Sequence, residues 1–103
     1  MITVENIIEW SKPHPLDGGK MTRIYNDEIE FSIVGGRSGL YGDFENDFEV
    51  AIIDKKSGDF VTKFFYPEGS DDIIGYMKSE DVVKLANQVL KIRRVKKEER
   101  DRQ

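Results

Sequence analysis

The sequence predicts an α+β domain: an antiparallel meander of three or four strands, covered on one face by a C-terminal α-helix, with a short N-terminal helix at an edge. Three observations carry this. Apolar residues alternate with polar ones in the middle of the chain, as Ile29, Phe31 and Ile33 against Glu28, Glu30 and Ser32, and again as Phe48, Val50 and Ile52. Polar and glycine-containing turns separate these runs, which makes antiparallel pairing of neighbours the default. Near the C-terminus the period changes to that of a helix, with Val82, Leu85, Ala86, Val89 and Ile92 forming one stripe.

The elements follow in order. Residues 3–11 read as a short helix, with Thr3 as N-cap, Glu5 in the first turn, and Val4, Ile7 and Ile8 on one face. Lys12 to Gly19 holds two prolines and two glycines and ends it. Residues 21–34 read as strand, folded into a hairpin at Asn26-Asp27 between Thr22–Tyr25 and Glu28–Val34. Residues 35–45 are a glycine-rich loop, and 47–54 a second strong strand. Lys55-Lys56-Ser57-Gly58 is a hairpin loop, and Asp59–Tyr66 is expected to return as a strand. A polar loop over Pro67–Asp72 precedes a short apolar piece, Ile73–Met77, whose state the pattern leaves open. The last helix starts at Ser79, a good N-cap, with Glu80 and Asp81 suited to the positive end of the helix dipole. Residues 1–92 are thus expected to form a single domain, and 93–103 a charged helical tail that frays.

Bulk properties narrow the function. At 103 residues the chain suits one domain. It has no cysteine, so disulfides, thiolate metal sites and cysteine nucleophiles are excluded. The N-terminal segment lacks the basic and apolar regions of a signal peptide, and no apolar run reaches the roughly 20 residues of a membrane span. A cytoplasmic protein with no membrane partner is expected. Charge is unevenly distributed. Residues 1–90 hold 9 Lys and Arg against 17 Asp and Glu, a net −8, whereas residues 91–103 hold 7 against 3, a net +4. An acidic body repels nucleic acid and membranes and attracts basic protein surfaces.

No catalytic constellation emerges, and the chain is expected to be non-enzymatic, without metal or cofactor. The glycine loop lacks the Lys-Ser/Thr pair of a phosphate-binding P-loop, and it leads into a strand where a dinucleotide fingerprint needs a helix. Asp43, Glu45, Asp47 and Glu49 alternate, which on an extended segment places them on one side. Their spacing loosely follows a calcium loop, but Phe48 stands where the sharp turn needs glycine and Asp54 where the loop needs glutamate. The bland reading is the solvated face of a strand whose other face holds Phe44 and Phe48. The functional one is an acidic row facing a protein that normally neutralises nucleic-acid phosphates. His14, the single histidine, lies between two prolines, where a solvent-exposed, inert side chain is expected. Trp10, Tyr41, Tyr66 and Tyr76 are candidate interface anchors near element ends.

Four segments carry a resemblance: Phe31-Ser32-Ile33-Val34-Gly35-Gly36, Gly39-Leu40-Tyr41-Gly42-Asp43, Phe48-Glu49-Val50-Ala51-Ile52 and Asp71-Asp72-Ile73-Ile74-Gly75-Tyr76. Over roughly residues 28–90 the chain resembles small proteins carried by phages and prophages of Gram-positive bacteria. That resemblance implies a small acidic protein that blocks a host defence system, as anti-CRISPR proteins do when they occupy the nucleic-acid sites of effectors. It brings no catalytic residues with it.

The leading expectation is therefore a protein-binding module, a phage-encoded inhibitor of a host defence or nucleic-acid-handling protein with a basic surface. Its contact residues would be Asp43, Glu45, Asp47, Glu49, Asp71 and Asp72. One alternative is a nucleic-acid-binding accessory protein acting through Lys91, Arg93, Arg94, Lys96 and Lys97. Another is a self-associating phage structural or assembly protein.

Overall fold

The computed structural model describes residues 1–14, 18–36, 42–69 and 71–101, with the backbone alone for 91–101. The fold is α+β. Among the described residues, five antiparallel strands pair strictly in chain order: β1 (Lys12–Pro13), β2 (Lys20–Tyr25), β3 (Ile29–Gly35), β4 (Asp47–Asp54) and β5 (Ile74–Lys78). Helix α1 (Val4–Glu9) precedes them, α2 (Thr62–Phe65) lies between β4 and β5, and α3 (Ser79–Asp101) ends the chain.

Local chemistry explains the first half. Thr3 caps α1 reciprocally with Asn6, its hydroxyl accepting the Asn6 N–H while the Asn6 side chain accepts the Thr3 N–H. Ile7 is buried, whereas Ile8 is exposed. The β2–β3 hairpin needs no glycine, because the Asn26 carboxamide oxygen accepts the N–H groups of Glu28 and Ile29, both at 2.8 Å.

Alternation then sorts the two sheet faces. Phe31 opposes Ile52 and Ile33 opposes Val50, and all four are buried. They meet Val82, Leu85, Ala86 and Val89 of α3 in one core. Helix α1 joins the same side, where the buried Thr22 hydroxyl donates to the Ile7 carbonyl at 2.6 Å. Asn87 ties down the chain start, accepting the Ile2 N–H and donating to the Ile2 carbonyl. On the other face Ser32 and Ala51 are opposed and half-buried, as are Val34 and Glu49. Among the described residues no helix packs on that face, a common arrangement for antiparallel sheets.

The second half departs from the sequence reading. Asp59–Tyr66 is not a strand. Phe60 alone bridges Ile53, and the chain then coils into α2 and a 3₁₀ turn, Pro67–Gly69. The switch occurs at Thr62, whose buried hydroxyl takes the Ile52 N–H at 2.9 Å where a continuing strand would have offered a carbonyl. The same hydroxyl donates to the Asp72 carbonyl at 2.6 Å, which brings the chain back for β5. The outer edge of β4 is therefore shared, its C-terminal half with residues 59–61 and its N-terminal half with β5. The segment left open at 73–77 is that fifth strand. It carries a register irregularity opposite Phe48 and Val50, with Tyr76 at φ 55°.

Candidate functional site

The six candidate carboxylates do not form one row. Residues 43–46 are a turn rather than the start of a strand, so the alternation of Asp43 and Glu45 with Asp47 and Glu49 does not place them along one side. The Asp43 carboxylate closes that turn. Its Oδ1 accepts the N–H groups of Asn46 at 2.7 Å, Glu45 at 2.8 Å and Asp47 at 3.2 Å. Phe44 in consequence takes φ 60°. Left-handed backbone costs a residue with a side chain about 1–2 kcal/mol. Burial of the ring, packed edge-on against Phe48 at 5.1 Å, offsets that cost.

Asp47 is the first residue of β4. Its Oδ1 accepts the Asp43 N–H at 3.0 Å, and its Oδ2 lies 3.8 Å from the Lys78 ammonium. Glu45 is exposed on the turn, and Glu49 is half-buried on the open face of the sheet. Asp71 and Asp72 lie elsewhere, at the other end of β5. Its five residues, about 17 Å of extended chain, separate them from Lys78 and Asp47.

The backbone N–H groups of Asn46, Asp47 and Glu45 hold the Asp43 carboxyl well below the usual carboxylate range. A depressed folded-state value stabilises the protein above the ordinary aspartate pKa and is lost as pH falls toward the folded value. Stability should therefore decline as pH drops below about 4, where the unfolded chain takes up the proton first. Asp43→Asn keeps an acceptor oxygen without the titration, so its urea midpoint should fall less steeply through that window than wild type. Parallel midpoint curves would show that Asp43 does not contribute to the pH dependence.

At the start of β5, Asp71, Asp72, Ile73, Gly75 and Tyr76 line a shallow depression of about 470 Å³. Tyr76 is 62% exposed and Ile73 38%. Lys63 stands 3.9 Å from the Asp72 carboxylate, an exposed pair of little energetic weight. The aromatic and aliphatic members of this patch were not part of the expected contact set. Tyr76 was an anchor candidate from its place near an element end, but nothing in the sequence joined it to the two aspartates. A second depression, of about 340 Å³, lies between the 3₁₀ turn and α3, with Met77 and Leu85 beneath and Glu68, Asp81 and Lys84 around it.

The remaining candidates place as follows. His14 is half-buried just after β1, not exposed, and its backbone N–H donates to the Gly19 carbonyl at 2.7 Å. Trp10 is exposed and Tyr66 half-buried, while Tyr41 and the centre of the glycine loop, residues 37–41, lie outside the described residues. The backbone at Lys91, Arg93, Arg94, Lys96 and Lys97 is helical, and their side chains lie outside the described residues. Among the described residues, no group of three or more histidines and carboxylates is arranged to hold a metal ion. Nor is any helix long and apolar enough to cross a membrane.

The fold defines a class, a five-stranded antiparallel meander backed by a C-terminal helix. No protein-family model matches the sequence, and neither a curated protein nor a solved structure is significantly similar to it.

Proposed function

We propose that the chain is a non-enzymatic protein-binding module that engages a basic partner surface through the depression at the start of β5. The observation that carries this reading is the grouping there of two exposed carboxylates with an exposed tyrosine and isoleucine. Interfaces are anchored by aromatic residues at their centre and ringed by polar groups. A lysine or arginine of the partner can pair with Asp71 or Asp72 while its stem, or a guanidinium, lies on the Tyr76 ring. Asp43 and Asp47 act indirectly in this reading, by holding the turn before β4. Glu45 and Glu49 are secondary contacts. With the resemblance to phage proteins, the reading becomes an inhibitor of a host defence or nucleic-acid-handling protein.

The test is capture of a partner from lysate of a Gram-positive host with the full chain, with nuclease added. One protein retained after nuclease is expected. Against that protein, Tyr76→Ala should cost about 2 kcal/mol of binding, the size of an interface anchor. The Asp71→Lys/Asp72→Lys pair should weaken binding at least as much and slow association at low salt. Unchanged affinity in both variants rules out this surface.

A further inference from the structure

We infer that the sheet-facing stripe of α3 continues past the sheet as a basic face that binds the phosphate backbone of nucleic acid. This goes beyond the protein-binding reading and uses the opposite end of α3 from the acidic residues of its first turn.

Over residues 79–90 the buried residues of α3 are Val82, Leu85, Ala86 and Val89. On a helix, steps of seven return to nearly the same side. Seven beyond Val89 is Lys96, and seven and fourteen beyond Ala86 are Arg93 and Arg100. Two of the three columns that carry the core stripe therefore become basic. The third runs Leu85, Ile92, Glu99 and places one acid at the margin, with Lys97 at the opposite margin. Lys91 and Arg94 fall on the other side of the helix.

The backbone of α3 reaches Asp101, 23 residues in all, about 34 Å of helix. Over residues 79–90, where burial is described, the last buried position is Val89. Positions 93–100 lie about 6–16 Å further along the axis. The longest dimension of the molecule is 48 Å, against 28 and 24 Å for the others. Separation matters because the body is acidic. A charge is screened over about 8 Å at physiological ionic strength, so most of the basic face stands near or beyond the reach of the body's repulsion.

A row of positive positions, one per turn, suits a line of phosphates. The acidic body of a second copy is the less favoured occupant. Several of its carboxylates are already engaged: Asp43 by three backbone N–H groups, Asp47 by Lys78 and the Asp43 N–H, and Glu30 by Arg23.

The experiment measures anisotropy of a labelled DNA duplex against the full chain over a salt series. Wild type should bind with a log–log salt slope of about −3, as three phosphate contacts require. Arg93→Glu/Arg100→Glu and Lys91→Glu/Arg94→Glu change net charge equally but differ in register. The first pair should weaken binding by about tenfold or more and flatten the slope, the second by no more than about threefold. Circular dichroism and melting check that both remain folded. Absence of salt-dependent binding by wild type overturns the proposal, and so does equal loss in the two pairs. A dimer seen by sedimentation without DNA, and abolished by Arg93→Glu/Arg100→Glu, overturns it in favour of a second copy.

Discussion

Thr62→Val should destabilise the protein by about 3 kcal/mol, although it replaces one buried side chain by another of nearly the same shape. The hydroxyl is fully buried and works in two directions. It accepts the Ile52 N–H at 2.9 Å and donates its single proton to the Asp72 carbonyl at 2.6 Å. Valine leaves the buried Ile52 N–H without a partner, at about 1–3 kcal/mol, and loses the hydrogen bond to the carbonyl of the exposed Asp72, at about 0.5–1.5 kcal/mol. In a domain of this size that is about 10–20 °C in melting temperature. Thr62→Ser keeps the hydroxyl and should recover most of the loss, which separates hydrogen bonding from packing. Because Thr62 also sets where β5 begins, valine should speed amide exchange at Ile52 and along β5 more than in the β2–β3 hairpin. A valine variant as stable as wild type would mean that the sheet edge is held by packing alone.

This residue also shows where the sequence stops being legible. The β2–β3 hairpin, β4 and the stripe of α3 follow from local periodicity, because each buries one face against the same core. The stretch Asp59-Phe60-Val61-Thr62-Lys63-Phe64-Phe65-Tyr66 is rich in strand-forming residues, and propensity favours extending β4's partner through it. Tertiary structure overrides propensity there. The Ile52 N–H is satisfied by a side chain, and the edge so vacated is taken by a segment twelve residues further on. The alternating carboxylates misled for a related reason. Aspartate favours turns because its side chain bonds nearby backbone N–H groups, and at Asp43 that tendency prevails over the period-2 pattern. Charge asymmetry was readable from composition, but the register that turns the α3 stripe from apolar to basic has meaning only once Val82, Leu85, Ala86 and Val89 are known to be buried. Tyr76 sits in the Asp71–Tyr76 patch at a positive φ beside a register irregularity of β5, features that no sequence pattern announces.

Gly42→Ala should cost about 3 kcal/mol, the upper end of the overpacking range, and should exceed the cost of Gly58→Ala. Backbone conformation alone argues the reverse. Gly58 has φ 79°, where an L-residue is strained by about 1–2 kcal/mol, while Gly42 is not among the positive-φ glycines. Space decides otherwise. A Cβ at Gly42 would stand 2.7 Å from the Phe48 Cα, 2.8 Å from its N and 2.9 Å from the Asp47 carbonyl oxygen. All three are backbone atoms, so no rotamer change relieves the clash. A Cβ at Gly58 meets nothing within 4 Å. Gly35 is equally confined at the end of β3, its own Cβ position lying 2.8 Å from the Phe44 N and 3.0 Å from the Gly42 carbonyl oxygen. The Gly36 N–H donates to the Gly42 carbonyl at 2.9 Å where the ends of the loop meet. These glycines, which on composition alone invite a phosphate-loop reading, let the end of β3, the turn at 42–44 and the start of β4 approach closely. Urea midpoints of the two alanine variants check the order. An equal or larger loss at Gly58 would mean that the close approach of Gly42 to the start of β4 gives way easily and that φ governs both sites.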